Sequence, residues 1–205
     1  MITSPARASV WHSRLAPHAF DLVALPSRHT SRMIAEELRD QPKDSKVLDI
    51  GVGTALTSAR VANELGLELS AIDISETMLE RAAERLPDSE LKIGSATDLP
   101  FPDAIFDVLL SNFVLKYVDV EDTERVVSEM ARVAKPEARA LVSDLALPVL
   151  RPRFVPPIRS LDNKIIGLWS DKPRFVTAMV KEGFELVKTR RPFLSFLMVF
   201  QRRAT

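Results

Sequence analysis

The sequence predicts an α/β fold: a doubly wound, Rossmann-like, mainly parallel sheet whose final strand runs backwards. Three observations predict it. Apolar strand-like runs alternate with helical patterns along the chain, as in a parallel sheet covered by helices on both faces. A glycine-spaced turn, Gly51-Val52-Gly53, joins the first such run to a helical pattern. Near the C-terminus, apolar runs at 184–191 and 194–201 are separated only by Pro192-Phe193. No crossover helix fits in that gap, so these two strands must pair antiparallel.

The elements follow in order. A helix over 30–39 carries Met33, Ile34 and Leu38 on its apolar face and stops before Gln41-Pro42. Strand one is 46–50, and the helix over 56–65 closes at Gly66, a residue suited to a left-handed C-cap. Strand two is 68–73. Ser75 then stands as the N-cap of a helix whose Met78, Leu79, Ala82, Ala83 and Leu86 recur at helical spacing until Pro87. Strand three is 90–93, and strand four, 105–112, follows the loop 98–103. A helix over 123–134 buries Val126, Val127, Met130 and Val133 and ends at Lys135-Pro136; strand five is 139–145. A stretch rich in proline and arginine breaks the alternation and reads as a loop excursion over 148–172. A helix over 173–182 leads into the terminal hairpin.

The chain has 205 residues, 46% of them hydrophobic, enough for one domain with a substantial core. A single domain over 1–205 is expected, with 1–40 as an N-terminal arm or lid. Lys plus Arg and Asp plus Glu each total 28, so no net field recruits nucleic acid and none is expected as a partner. The absence of cysteine removes disulfides, thiolate metal sites and a cysteine nucleophile. No apolar run reaches membrane-spanning length, and a cytoplasmic location is expected. The first 20 residues hold Arg, Ser, Ala and His but no acid, a composition shared by transit peptides and mobile arms; the arm is the reading adopted.

The glycine turn is preceded by Asp49, at the end of strand one and two residues before Gly51. A dinucleotide would lay its pyrophosphate over such a turn, at the helix N-terminus, where the Asp49 carboxylate would repel it. S-adenosylmethionine carries a sulfonium and an α-ammonium and no phosphate. At about 4 Å and an effective dielectric near 20, each unit-charge pair is worth about 4 kcal/mol, with opposite sign for the two ligands. The third glycine of the dinucleotide fingerprint is also missing, being Leu56 here. Asp73, ending the neighbouring strand about twenty residues on, suits the ribose hydroxyls of either cofactor. S-adenosylmethionine is the expected cofactor.

On Val47-Leu48-Asp49-Ile50-Gly51-Val52-Gly53-Thr54-Ala55, Asp73-Ile74-Ser75-Glu76-Thr77-Met78-Leu79 and Gly94-Ser95-Ala96-Thr97-Asp98-Leu99-Pro100-Phe101, the chain resembles the class I S-adenosylmethionine-dependent methyltransferases. The resemblance is to the small-molecule type that includes the ubiquinone and menaquinone methyltransferases. It implies seven strands in the order 3-2-1-4-5-7-6 with the last antiparallel, and in-line methyl transfer to a small-molecule acceptor. It assigns the cofactor to Asp49, Gly51, Gly53 and Asp73, with Ile74 on the adenine face and Met78 nearby; both also read as core side chains. Ser95 stands where the family places an acid for the adenine amino group, and the Ala96 amide faces an adenine nitrogen. Asp98 reads equally as a cofactor contact or as a loop cap. Asn112 and Phe113 would line the methionine end.

Other features narrow this further. Asn112 occupies the position of the metal-binding acid of catechol-type enzymes, so no metal is expected. The chain lacks an Asn-Pro-Pro-Tyr motif, against a DNA amino-methyltransferase. Two departures stand out: Ala55 replaces the turn's usual third glycine, and Pro136-Glu137-Ala138 replaces a Pro-Gly-Gly turn before strand five.

A sulfonium methyl is already activated, so alignment, worth roughly 7–11 kcal/mol, does most of the work and no particular base is obligatory. Where an acceptor must lose a proton, the candidates are His18, His29, Lys116 and Tyr117, with His12 and Asp21 also in the arm. The plainer readings are solvated histidines, a solvated lysine and a half-buried tyrosine. Arg151, Arg153 and Arg159 would either grip a polar substrate or form a solvated basic loop. Two alternatives to transfer remain: a module that binds S-adenosylmethionine or S-adenosylhomocysteine without turnover, and a nicotinamide-dependent oxidoreductase.

Overall fold

The computed structural model describes residues 26–145, 172–191 and 195–204. In chain order the elements are α1 (Pro26–Glu37), β1 (Lys46–Ile50), α2 (Ser58–Leu65), β2 (Glu68–Asp73), α3 (Glu76–Ala83), β3 (Glu90–Ile93) and β4 (Phe106–Asn112). Two 3-10 turns follow at Leu115–Tyr117 and Val120–Asp122, then α4 (Thr123–Val133), β5 (Ala134–Leu145), α5 (Lys172–Lys181), β6 (Phe184–Arg190) and β7 (Ser195–Arg202). Among the described residues the strands form one sheet in the order β3-β2-β1-β4-β5-β7-β6. The pairs are parallel except those of β7, which runs antiparallel to both β5 and β6. The expected order and reversed strand are both present.

Side-chain alternation decides which face each strand residue serves. Val47, Val108, Leu110, Leu141, Leu197 and Val199 join α1, α2 and α3 in one core cluster. Their neighbours Leu48, Leu109, Ala140, Val142, Met198 and Phe200 pack with α4 and α5 in another. Asp49 shares the parity of Val47 and so lies on the α1–α3 side. Asp144 shares the parity of Ala140 and Val142 and lies on the α4–α5 side.

The boundaries differ most from the sequence reading at the start of α1 and at the start of β5. Helix α1 begins at Pro26, four residues before the expected start, because proline is preorganised for the first helical position. Lys135-Pro136 do not open a loop: β5 starts at Ala134, directly after α4. The transition is held by amides of the β4 approach, with Ala104 donating to the Arg132 carbonyl and Ile105 to the Val133 carbonyl, both at 2.9 Å. The register shifts between Phe106 and Val108, an irregularity of the kind that accommodates a proline without an N–H. Ser75 does stand at the N-cap of α3, but its hydroxyl pairs with Thr77 Oγ1 at 3.0 Å. Gly66 caps α2 as expected, at φ +66° with its amide on the Ala62 carbonyl. No helix among the described residues is long and apolar enough to cross a membrane.

Candidate cofactor and acceptor site

Every strand of the parallel block delivers its C-terminal end to one edge, where α/β sheets bind ligands. At that edge β1 ends in Asp49-Ile50 and turns through Gly51 (φ +76°) and Gly53 (φ +54°). A Cβ built on Gly51 would collide with the Val114 isopropyl, lying 2.7 Å from Cγ1. The turn therefore requires glycine twice over, for its backbone conformation and for the close approach of the loop after β4. Ala55 occupies the left-handed region at φ +59°, fully buried, which explains why glycine is usual there.

Asp49 is 2% exposed, and its Oδ1 has no hydrogen-bond partner. Burial pushes its carboxyl up to about 7; the nearby Ser58 hydroxyl opposes the shift and the Asp73 charge adds to it. Ser58 Oγ itself falls outside hydrogen-bond geometry and is also without a partner. A buried carboxylate with an orphaned oxygen costs free energy until a cation or donor meets it. The donor set thus fits a cationic group over the turn and resists a phosphate.

Asp73 is tied to the same turn. Its Oδ2 accepts the Gly53 amide at 2.8 Å and its Oδ1 the Ser75 amide at 2.9 Å. These bonds hold the carboxylate at the β2 terminus, facing the edge. Ile74 beside it is 36% exposed, a large apolar side chain held in solvent at the site. Met78 is buried at 3%. Ser95 sits in a tight turn, its hydroxyl paired with Thr77's counterpart in the next loop, Thr97 Oγ1, at 2.8 Å. The Asp98 amide returns to the Ser95 carbonyl at 3.0 Å, while the Asp98 side chain is exposed. Ala96 is half-buried.

The loop carrying these residues is clamped from α4. Arg132 donates to the carbonyls of Phe101 (2.8 Å) and Leu99 (2.9 Å) and to Asp103 (2.7 Å). Glu129 accepts from Arg132 and from the Leu99 amide at 2.7 Å, and the Arg132 hydrogen bond holds its carboxyl below the ordinary range. Arg125 adds a bond to the Thr97 carbonyl at 2.8 Å.

At the end of β4, Asn112 Oδ1 accepts from Ser143 Oγ at 2.8 Å, leaving Nδ2 buried without a partner. Phe113 follows at φ +62°, its amide on the Ser143 carbonyl. A non-glycine residue in this region is strained, and such strain collects at functional sites. Lys116 is not solvated. Its side chain is 6% exposed, with Nζ 3.4 Å from Asp144 Oδ1. Tyr117 is half-buried, and its hydroxyl is pushed up to about 12 by burial and by the Asp144 charge. His29 is exposed on α1; His12, His18, Asp21, Arg151, Arg153 and Arg159 lie outside the described residues.

The structure thus gathers Asp49, Gly51, Gly53, Asp73 and Ile74 around the turn, Ser95 and Ala96 on the clamped loop, and Asn112, Phe113, Lys116 and Tyr117 beyond β4. Val114, Ser143, Asp144, Arg132 and Glu129 were not singled out from the sequence. Only the positive charge of Arg132 and the carboxylates were visible there, with nothing local to pair them.

A family model described as a methyltransferase domain matches residues 48–142, the segment that builds this edge from β1 to β5. That segment, just under half of the chain, is similar to the class I S-adenosylmethionine-dependent methyltransferases. The demethylmenaquinone methyltransferase of Paenarthrobacter aurescens (strain TC1) is 32% identical over 130 residues, covering 63% of this chain and 50% of that protein. That of Streptomyces avermitilis is 28% identical over 190 residues, covering 83% and 81%. The chain spans about half the length of several curated relatives it matches. A solved S-adenosylmethionine-dependent methyltransferase from Methanosarcina mazei superposes with a TM-score of 0.63 at 20% identity, over 80% of this chain and 95% of that one; the likeness is one of fold. The methyl donor of this methyltransferase family is S-adenosylmethionine, and the donor set at Asp49 is chemically suited to it.

Proposed function

We propose that this methyltransferase transfers the methyl group of S-adenosylmethionine to a small-molecule acceptor by in-line displacement. The observation that carries the reading is Asp49: a buried carboxylate with an unpartnered oxygen beneath a glycine turn, where a cation is stabilised and a pyrophosphate repelled. Bound there, S-adenosylmethionine supplies a methyl already activated on sulfonium. Asp49 anchors its positive end, Asp73 accepts from the ribose hydroxyls, and Ile74 covers the adenine face with Met78 behind it. Ser95 and the Ala96 amide meet the adenine edge. Asn112 Nδ2, buried and lacking a partner, donates to the methionine carboxylate, with Phe113 alongside.

Relatives named for demethylmenaquinone support a small-molecule acceptor over a nucleic acid. We read 1–205 as one methyltransferase domain with a cytoplasmic location; most of the expected arm over 1–40 and excursion over 148–172 lies outside the described residues, and the arm's last part is the core helix α1. A second reading, cofactor binding without turnover, draws on Ser95, whose hydroxyl is engaged with Thr97 where the family usually offers an acid.

Calorimetry with S-adenosylmethionine, S-adenosylhomocysteine and NAD tests the first reading, followed by mass spectrometry of a mixed acceptor panel. Binding of the two sulfur nucleosides and a methylated product are expected. Binding of NAD alone overturns it, and tight S-adenosylhomocysteine binding without any product favours the second.

A further inference from the structure

The turn from Ser95 to Asp98 offers two side chains on one face. The Asp98 amide closes it on the Ser95 carbonyl at 3.0 Å, and the two residues form an antiparallel bridge. Residues directly opposite each other in an antiparallel pair project to the same face. Asp98 therefore stands beside Ser95 and shares its face.

Ser95 is a poor substitute for an acid here. Its hydroxyl pairs with Thr97 Oγ1 at 2.8 Å and accepts the Thr97 amide at 3.2 Å, so its oxygen is engaged within the turn. A neutral hydroxyl is also a weaker acceptor than a carboxylate. Carbonyls along the loop are committed as well. That of Thr97 takes Arg125 Nε at 2.8 Å, those of Leu99 and Phe101 take Arg132, and that of Pro100 takes Lys92 Nζ at 3.3 Å. The Asp98 carboxylate lies outside this set, on an exposed residue.

An exposed side chain is a useful reader only if its backbone is fixed, and that of Asp98 is pinned on both sides. Arg125 holds the Thr97 carbonyl before it, and the Leu99 amide after it donates to Glu129 Oε2 at 2.7 Å. Pro100 closes over Gly94, where an added Cβ would lie 3.1 Å from the proline Cδ. Helix α4 thus presents Asp98 on a preorganised loop, which cuts the ordering cost of meeting a ligand.

We propose that Asp98 determines nucleobase specificity, accepting the 6-amino group of adenine in the role that Ser95 vacates. With the Ala96 amide donating to the ring nitrogen, the pair matches adenine, which offers a donor at C6 and an acceptor at N1. A 6-oxopurine offers the reverse: an acceptor meets the Asp98 carboxylate and an N–H meets the Ala96 amide, leaving both groups without a partner. This inference rests on the cofactor reading above.

The test compares, by calorimetry on the full chain, S-adenosylhomocysteine with S-inosylhomocysteine, which differ only along that purine edge. The unsubstituted chain should prefer the adenosyl form. The Asp98→Asn amide can turn a donor toward a 6-oxo group, so this variant should bind S-adenosylhomocysteine about tenfold more weakly and S-inosylhomocysteine no more weakly. Asp103→Asn, which changes an exposed acid of the same loop bonded to Arg132, should leave the preference as it is. An Asp98→Asn loss equal for both ligands marks a loop cap and overturns the proposal. So does an unchanged preference in that variant, an equal fall in Asp103→Asn, or no preference in the unsubstituted chain. Failure of the unsubstituted chain to bind either nucleoside defeats the cofactor reading instead.

Discussion

The proposed anchoring of the cofactor at Asp49 makes its affinity a titration. With its carboxyl at about 7 in the cofactor-free protein, only about a tenth of the molecules carry the charge at pH 6 and about three quarters at pH 7.5. A cation bound at about 4 Å in an effective dielectric near 20 contributes about 4 kcal/mol. That is about three pKa units, so the bound form is ionised throughout this range. S-adenosylmethionine affinity should therefore fall about eightfold from pH 7.5 to 6 and about 75-fold to pH 5. Calorimetry in two buffers of different ionisation enthalpy should detect about one proton released per cofactor bound at pH 6. Asp49→Asn should bind more weakly at pH 7.5 and show a flat profile.

The same shift has a consequence for stability. The folded carboxyl lies above its unfolded value of 3.8, so between about pH 4 and 7 the folded cofactor-free chain binds more protons than the unfolded one. Its stability should fall as pH rises through that window, by up to about 4 kcal/mol relative to Asp49→Asn. A wild-type affinity that is flat between pH 5 and 7.5 would refute the reasoning, because it requires Asp49 either to remain ionised without the cofactor or to stand away from its charge.

Two further outcomes concern the backbone. Gly51→Ala should cost about 2–4 kcal/mol, combining left-handed strain with overpacking against Val114, and should abolish cofactor binding; adding Val114→Ala should restore part of the stability in thermal denaturation. Glu137, exposed at φ +61° in the position of a family glycine, should gain about 1 kcal/mol on substitution by glycine. Glu137→Gly should raise Tm by about 2–4 °C, and an unchanged Tm would contradict the left-handed conformation there.

The sequence alone determined what depends on neighbours along the chain. Period-two and helical apolar patterns located the strands and helices because each element buries its own face. The short link between β6 and β7 forced the reversed strand, since no crossover fits. The layout of the turn was legible because Asp49 and Gly51 are two residues apart on a strand end, so their relative placement is local. Only the tertiary structure decided how distant side chains meet. Lys116 read as a solvated lysine because nothing nearby in sequence opposes it; its partner is 28 residues on, brought over by the β4–β5 pairing. Arg132 reaches 33 residues back to the Leu99 carbonyl, and Val114 closes over Gly51 from another strand's loop. Periodicity records which face a residue serves, whereas the partner it finds there is set by strand register and loop path, which a single local segment does not contain.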